Sequence, residues 1–275
     1  MTSASVLSPA ALLRWYIDAG ADETVGDVAL DRFALSSAPP APRPSPSAAI
    51  APEPARAAAV PIAAQAATTP ISGTATHIAS GCATLADLRR ALEGFESPSL
   101  RRAAQNTVFA DGDPQAAVMV IGEAPGQQED RQGLPFVGKS GKLLDSMLGS
   151  IGLDRSSVYI TNVVAWRPLD NRKPTAEEVA VCLPFLVRHI ELVDPQLLIL
   201  LGGAAASAVL ARHEGITRLR GQWHSYESPG MSRPVPAIAT FHPAYLLRTP
   251  EAKRGAWRDL LAVKRRLEGM SASAN

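Results

Sequence analysis

The residues of this chain best suited to chemistry fall in three stretches. The first, Gly122-Glu123-Ala124-Pro125-Gly126-Gln127-Gln128-Glu129-Asp130, crowds carboxylates around a Gly/Pro turn. It runs on through Gly133-Leu134-Pro135-Phe136-Val137-Gly138-Lys139-Ser140-Gly141. The second is Thr161-Asn162 followed by Trp166-Arg167-Pro168, and the third is Phe241-His242-Pro243-Ala244-Tyr245-Leu246-Leu247-Arg248. Together they supply an aromatic ring, an amide that both donates and accepts, an imidazole, carboxylates and several cations. Such a set can grip a planar polar group, stabilise charge that develops beside it, and hold phosphates.

Gly133 to Ser140 also matches the G-x-x-x-x-G-K-[ST] pattern of nucleoside triphosphatases. That pattern has to leave directly from a buried strand, whereas Glu129-Asp130-Arg131-Gln132 precedes it here. No later apolar strand ends in an Asp that would hold magnesium, and Leu134-Pro135-Phe136 puts bulk where backbone amides should wrap phosphate. The match is read as a coincidence.

Periodicity shows what must position the three stretches. Thr84 caps a helix with Leu85, Leu88, Leu92 and Phe95 on one face. Apolar runs at 117–122, 157–164, 197–201 and 236–241 are strands. Helical patterns fill 139–153, with Leu143, Leu144, Met147, Leu148 and Ile151 on the inner stripe, and 175–193, opened by a capping box of Thr175 and Glu178. Further helices are expected at 203–212 and 250–267. Apolar strands alternating with helices imply a three-layer α/β/α fold around a central, mainly parallel four-stranded sheet. Ligands of such sheets sit at the carboxyl ends of the strands, where these stretches lie.

The 275 residues leave room for one such domain and an appendage. A short N-terminal helical segment is expected within 1–35, carried by Leu12, Leu13, Trp15, Tyr16 and Ile17. Residues 36–80, dominated by Ala, Pro, Ser and Thr, have little to bury and read as a disordered, flexible linker. The main domain is expected over 81–270. A net charge of +1 excludes a uniformly basic coat, and residues 1–80 hold four basic and six acidic residues, so the basic excess lies in the remainder. The two cysteines, Cys82 and Cys182, make neither a disulfide framework nor a four-thiolate site, and fit a reducing cytoplasm. No signal peptide is read at the N-terminus, and no apolar run reaches the ~18–20 residues of a membrane span.

In their order and spacing the three stretches resemble the family 4 uracil-DNA glycosylases, over about residues 82–268. The family's GE-G/A-PG, then D, then GxPFVGxxGxLL corresponds to Gly122 through Leu144. Its YITN strand corresponds to Tyr159-Ile160-Thr161-Asn162, its R-P-x-x-N-R stretch to Arg167 through Arg172, and its FHP-x-YLLR loop to Phe241 through Arg248. The resemblance implies the uracil-DNA glycosylase fold, and an enzyme that takes uracil out of single- or double-stranded DNA and leaves an abasic site. Uracil inside a duplex is out of reach, so the nucleotide must be everted.

The resemblance further implies Phe136 as the ring stacked on uracil, and Asn162 as the amide that accepts from N3–H and donates to O4. Gly122 and Ala124 would complete the pocket. His242 would donate to uracil O2, with its charge state left open. For the carboxylate that positions water, the resemblance favours Glu129, then Glu123, then Asp130; Ala124 stands where family 1 enzymes have their catalytic Asp. Tyr245, Leu246, Leu247 and Arg248 look like a minor-groove loop with an apolar wedge. Lys139, Arg167, Arg172 and Arg248 would hold phosphates. A covalent uracil-binding subfamily carries a nucleophilic His near position 171; this chain has none there, which favours turnover. A non-catalytic module that binds uracil or abasic DNA is the alternative.

The same resemblance implies an iron–sulfur cluster on four cysteines, and here the chain departs. Counting back from Phe109, two ligand places are Phe95 and Pro98; the third is Trp166, and only Cys182 remains. A cluster needs about four thiolate-type ligands, so no metal or cofactor is expected. Phe95 and Trp166 are read as apolar filling, and Cys82 as a small buried residue.

Overall fold

The computed structural model describes residues 70–95 and 104–273. The expected helix within 1–35, the linker up to residue 69, and Pro98 lie outside the described residues.

The first described element, α1 (Pro70–Ser80), corrects the expected linker boundary. It is helical, and Ala75 and Ala79 are buried in the main core. Composition misleads here because it counts apolar bulk. Small residues instead let a helix approach its neighbour closely, so that little side chain buries much surface. After a turn, α2 (Leu85–Gly94) opens on a capping box: the Asp87 amide donates to Thr84 Oγ1 and the Thr84 amide to Asp87 Oδ2, both at 3.1 Å. Leu88 and Leu92 bury its inner face. Cys82, in the intervening turn, is buried, and Arg188 Nε donates to its carbonyl at 2.9 Å.

The remaining elements are β1 (Asp111–Gly112), β2 (Val118–Gly122), α3 (Gln127–Gln132), α4 (Lys139–Gly149), β3 (Val158–Asn162), α5 (Ala176–Val193) and β4 (Leu197–Leu201). They continue with α6 (Gly202–Leu210), α7 (Ile216–Leu219), β5 (Trp223–Tyr226), β6 (Val235–Thr240), α8 (Pro243–Arg248) and α9 (Lys253–Ser273). α5 begins at the expected capping box, with the Glu178 amide donating to Thr175 Oγ1. The sheet order is β1-β3-β2-β4-β6-β5. Its four inner strands are parallel, as the alternation predicts, while β1 and β5 add antiparallel edges, so the sheet has six strands. Neither edge carries an apolar run: β1 is two residues long, and β5 reads Trp-His-Ser-Tyr. Short, polar edges of this kind discourage pairing with another chain.

Every residue of β2, β3 and β4 is buried, because helices cover both faces. Met119, Ile121, Leu198 and Leu200 share one core with Leu88, Phe185 and Ile190. Val118, Val120, Leu197 and Ile199 point the other way, toward Leu144, Leu148, Leu246 and Leu260. The strand register decides the site. Gly122 pairs with Asn162, and Leu201 with Thr240, so the inner strands end nearly level. The residues that follow them therefore emerge along one rim.

Burial of Ala75 and Ala79 makes α1 part of the folded unit. A chain that starts at Pro70 should melt as the full chain does in circular dichroism. One that starts at Ala83 should melt ~5 °C lower or more, since each kcal/mol shifts Tm by about 2–4 °C in a domain of this size. Equal melting temperatures for the two truncations would remove α1 from the fold.

Candidate functional site

The rim opens into a cleft of about 770 Å³. Glu123, Ala124, Glu129, Phe136, Asn162 and His242 all line it, so the three stretches singled out in the sequence converge on one cavity.

Its floor depends on a glycine. A Cβ on Gly122 would collide with Asn162 Oδ1 and with the far edge of the Phe136 ring, so only a residue without one lets ring and amide meet above the end of β2. Asn162 is 5% exposed, and its Oδ1 is buried without a hydrogen-bond partner among the described residues. Phe136 is equally buried and adopts φ 54°, a left-handed backbone rarely taken by a residue with a large side chain. Its ring lies 5.7 Å from the His242 ring, tilted by 32°.

His242 is the N-cap of α8. Its Nδ1 accepts from the Ala244 amide at 3.1 Å. An accepting Nδ1 carries no proton, so the neutral ring holds its proton on Nε2. Burial, with Arg248 nearby, pushes the imidazole down to about 4, against a smaller opposing pull from Glu129. The charge state left open by the sequence is thereby decided: near neutral pH His242 is an uncharged donor.

The carboxylates separate. Glu129 Oε2 accepts from the Gly126 amide at 3.1 Å and Oε1 from the Gly138 amide at 2.8 Å, bracing both ends of the loop around α3. A side chain on either glycine would crowd that carboxylate. Glu123 is half-buried and its carboxyl accepts no hydrogen bond among the described residues; burial raises its pKa, with Lys173 opposing. Asp130 does not line the cleft. It is 1% exposed, and its Oδ1 accepts from the Gln105 and Asn106 amides at 2.8 and 3.1 Å. The catalytic expectation for Asp130 is therefore corrected: one position along a helix from Glu129, it faces the other way and secures the 104–107 segment.

The expected DNA contacts divide similarly. Lys139, Arg172, Tyr245 and Arg248 line the cleft, while Arg167 does not. Arg172 is bound by both oxygens of Glu178, at 2.7 and 2.6 Å, and Arg167 Nε donates to Asn171 Oδ1 at 2.7 Å. Leu246 is 1% exposed and packs into the core beneath α8, so it is not part of a wedge; its neighbours Tyr245 and Leu247 are the exposed pair. The triphosphatase-like pattern runs from the end of α3 into the first turn of α4, with no strand leading into it, and Phe136 stands in its middle.

Sequence reading missed part of the wall. Gly202 and Gly203, at the end of β4, line the cleft, and Gly202 at φ 88° lies against the His242 side chain. The strand-end rule, applied to the third strand as to the others, points to them. Lys173 and Thr217 were also missed. Behind the His242 loop, Arg220 lies 4.8 Å from the Phe241 ring and donates to Asp259 at 3.1 and 2.7 Å; Thr240 Oγ1 donates to the same carboxylate at 2.7 Å.

The places of the cluster ligands do not fit a metal. Phe95 packs edge-on against Phe185 at 5.1 Å, and Trp166, 1% exposed, donates from Nε1 to Thr107 Oγ1 at 3.0 Å. Burial pushes the Cys182 thiol up to about 12. Among the described residues no three His, Cys, Asp or Glu side chains group as metal ligands. No described helix is long and apolar enough to cross a membrane.

Comparison with known proteins agrees with this geometry. The model of the uracil DNA glycosylase superfamily matches residues 109–261. A type-4 uracil-DNA glycosylase of Archaeoglobus fulgidus is 40% identical over 173 residues, which span 62% of this chain and 86% of that protein. A type-4 enzyme of Thermotoga maritima is 41% identical over 162 residues, spanning 58% and 82%. One of Pyrobaculum aerophilum is 37% identical over 183 residues, spanning 65% and 92%. A family match over more than half of the chain, and relatives covered over most of their length, place the chain in the uracil DNA glycosylase superfamily.

Proposed function

We propose that this chain is a monofunctional uracil-DNA glycosylase of base excision repair, which hydrolyses the bond between uracil and its sugar and leaves an abasic site. The observation that carries this reading is the buried Asn162 Oδ1, which has no hydrogen-bond partner among the described residues. A buried acceptor without a donor costs about 1–3 kcal/mol. Uracil N3–H supplies that donor; cytosine offers a lone pair there instead and leaves the cost unrelieved. The amide's NH2 then donates to O4, and the Phe136 ring stacks on the base.

As the C1′–N1 bond breaks, its electron pair moves onto uracil and charge builds on O2. The Nε2–H of neutral His242 donates to that oxygen and gives up no proton, because the ring remains the weaker acid. Each Glu129 oxygen holds one backbone amide and keeps acceptor capacity. Glu129 therefore offsets the sugar's positive charge, positions the water that adds to C1′ and takes its proton as the C1′–O bond forms, while uracil leaves as its anion; Glu123 is the second carboxylate on the cleft. Lys139, Lys173 and Arg248 hold the phosphates, and Tyr245 with Leu247 fills the space left by the everted base. Both single- and double-stranded uracil-containing DNA are substrates on this reading.

The enzyme works without an iron–sulfur cluster. Phe95, Phe185 and Trp166 hold together, by packing, the segments that the family ties with metal. Purified protein should contain no iron and show no broad absorption near ~400 nm; an iron-loaded, coloured preparation would overturn this.

Incubation with uracil oligonucleotides followed by hot alkali should break the strand at uracil. Bound but intact DNA would overturn the catalytic reading. N162D should slow excision about 10–100-fold, the value of a buried hydrogen bond to the base. E129Q should slow single-turnover excision by about 10²-fold or more; a larger loss in E123Q would exchange the two roles. The pH dependence follows from His242. Its proton affinity is depressed, so the neutral form persists as pH falls through 6.5 and is lost only near about 4. Single-turnover rates should show no His242-dependent inflection between pH 6 and 7. An inflection there that H242N abolishes would show that the charged ring is the working form.

A further inference from the structure

We propose that Arg155 is a positioning residue that holds the Phe136 ring in the cleft by fixing the carbonyls of the two peptides that flank it. The proposal rests on the reading of Phe136 as the ring that stacks on uracil.

Arg155 lies in the turn between α4 and β3 and does not line the cleft. Its Nη2 donates to the Phe136 carbonyl and its Nη1 to the Pro135 carbonyl at 3.2 Å. The guanidinium is itself held by Asp111 Oδ2 at 2.6 Å and Asp145 Oδ1 at 2.8 Å, from β1 and α4 respectively. From the other side, the first turn of α4 presses Gly141 so close that a Cβ there would overlap the Phe136 carbonyl. The Phe136–Val137 peptide is thus confined between a fork of donors and a helix backbone.

That confinement has a direct consequence for the ring. At φ 54° Phe136 is strained, by about 1–3 kcal/mol for such conformations. Rotation of the preceding Pro135–Phe136 peptide about the N–Cα bond would let φ return to a negative value and turn the Cα–Cβ bond away from Gly122. Arg155 holds the Pro135 carbonyl of that peptide, and the Phe136 carbonyl on the other side of the Cα, and so opposes the rotation. The two ion pairs alone do not account for the arrangement, since partly exposed pairs contribute little to stability. Their effect is to orient a planar fork whose remaining donors face two consecutive carbonyls, a geometry that an ammonium group does not reproduce.

The test is a double-mutant cycle on the full chain. It reads single-turnover excision from a single-stranded uracil oligonucleotide, together with inhibition by free uracil. R155M should slow excision about 10–100-fold, a coupling of the size found between residues in contact. It should also weaken inhibition by uracil about tenfold, the value of one base–aromatic stack. R155K should fall between R155M and the unaltered chain. Added to F136A, R155M should cost no more than about twofold further, because its effect passes through the ring. D145N, which removes one of the two ion pairs that orient the fork, should slow excision less than R155M does and in the same direction. Full additivity of R155M, or of R155K should R155M not fold, with F136A would overturn the proposal, as would uracil inhibition unchanged by either variant. F136A with unaltered turnover would sink the stacking reading itself, and this proposal with it.

Discussion

The site depends on an approach that only a glycine permits. At the end of β2, Gly122 leaves open the volume into which the Phe136 ring and the Asn162 amide both project. One group comes from a loop and the other from the neighbouring strand; the parallel register that sets Gly122 opposite Asn162 brings them to the same point. A methyl group there would displace both at once. This constraint orders much of the surroundings: the left-handed turn at Phe136, the close-packed Gly141, and the arginine fork of Arg155 all hold the ring over that opening.

Electrostatics completes what shape begins. The cleft offers a neutral donor in His242 and an unsatisfied acceptor in Asn162. Both features follow from burial. Desolvation keeps the imidazole uncharged, and the Ala244 amide decides which nitrogen carries the proton. Such a pocket is pre-organised, because its polar groups are already oriented before a base enters. Glu129 contributes through its bonds to Gly126 and Gly138, which tie both ends of the α3 loop to one carboxylate.

The core beside α5 shows a second way to hold chain segments together. Phe95 packs edge-on against Phe185, and both are buried in one core with Trp166 and Cys182. Truncating an aromatic residue in such a position costs about 3–5 kcal/mol.

Local patterns along the chain suffice for the alternation of strands and helices, the four parallel inner strands, the capping boxes at Thr84 and Thr175, and the stretches that meet at the rim. These are legible because apolar periodicity, cap chemistry and strand-end loops are local properties of the chain. Tertiary structure alone decided the rest. Glu129 and Asp130 are adjacent and chemically alike, yet neighbours on a helix face different ways, and only one reaches the cleft. Leu246 and Leu247 are interchangeable in composition, but the packing of α8 buries the first and exposes the second. Ala75 and Ala79 read as spacer until α5 provides the surface that covers them. The ionisation of His242, the vacant acceptor on Asn162 and the grip of Arg155 on Phe136 likewise arise from contacts between segments far apart in sequence, because burial and hydrogen-bond partners are properties of the assembled core.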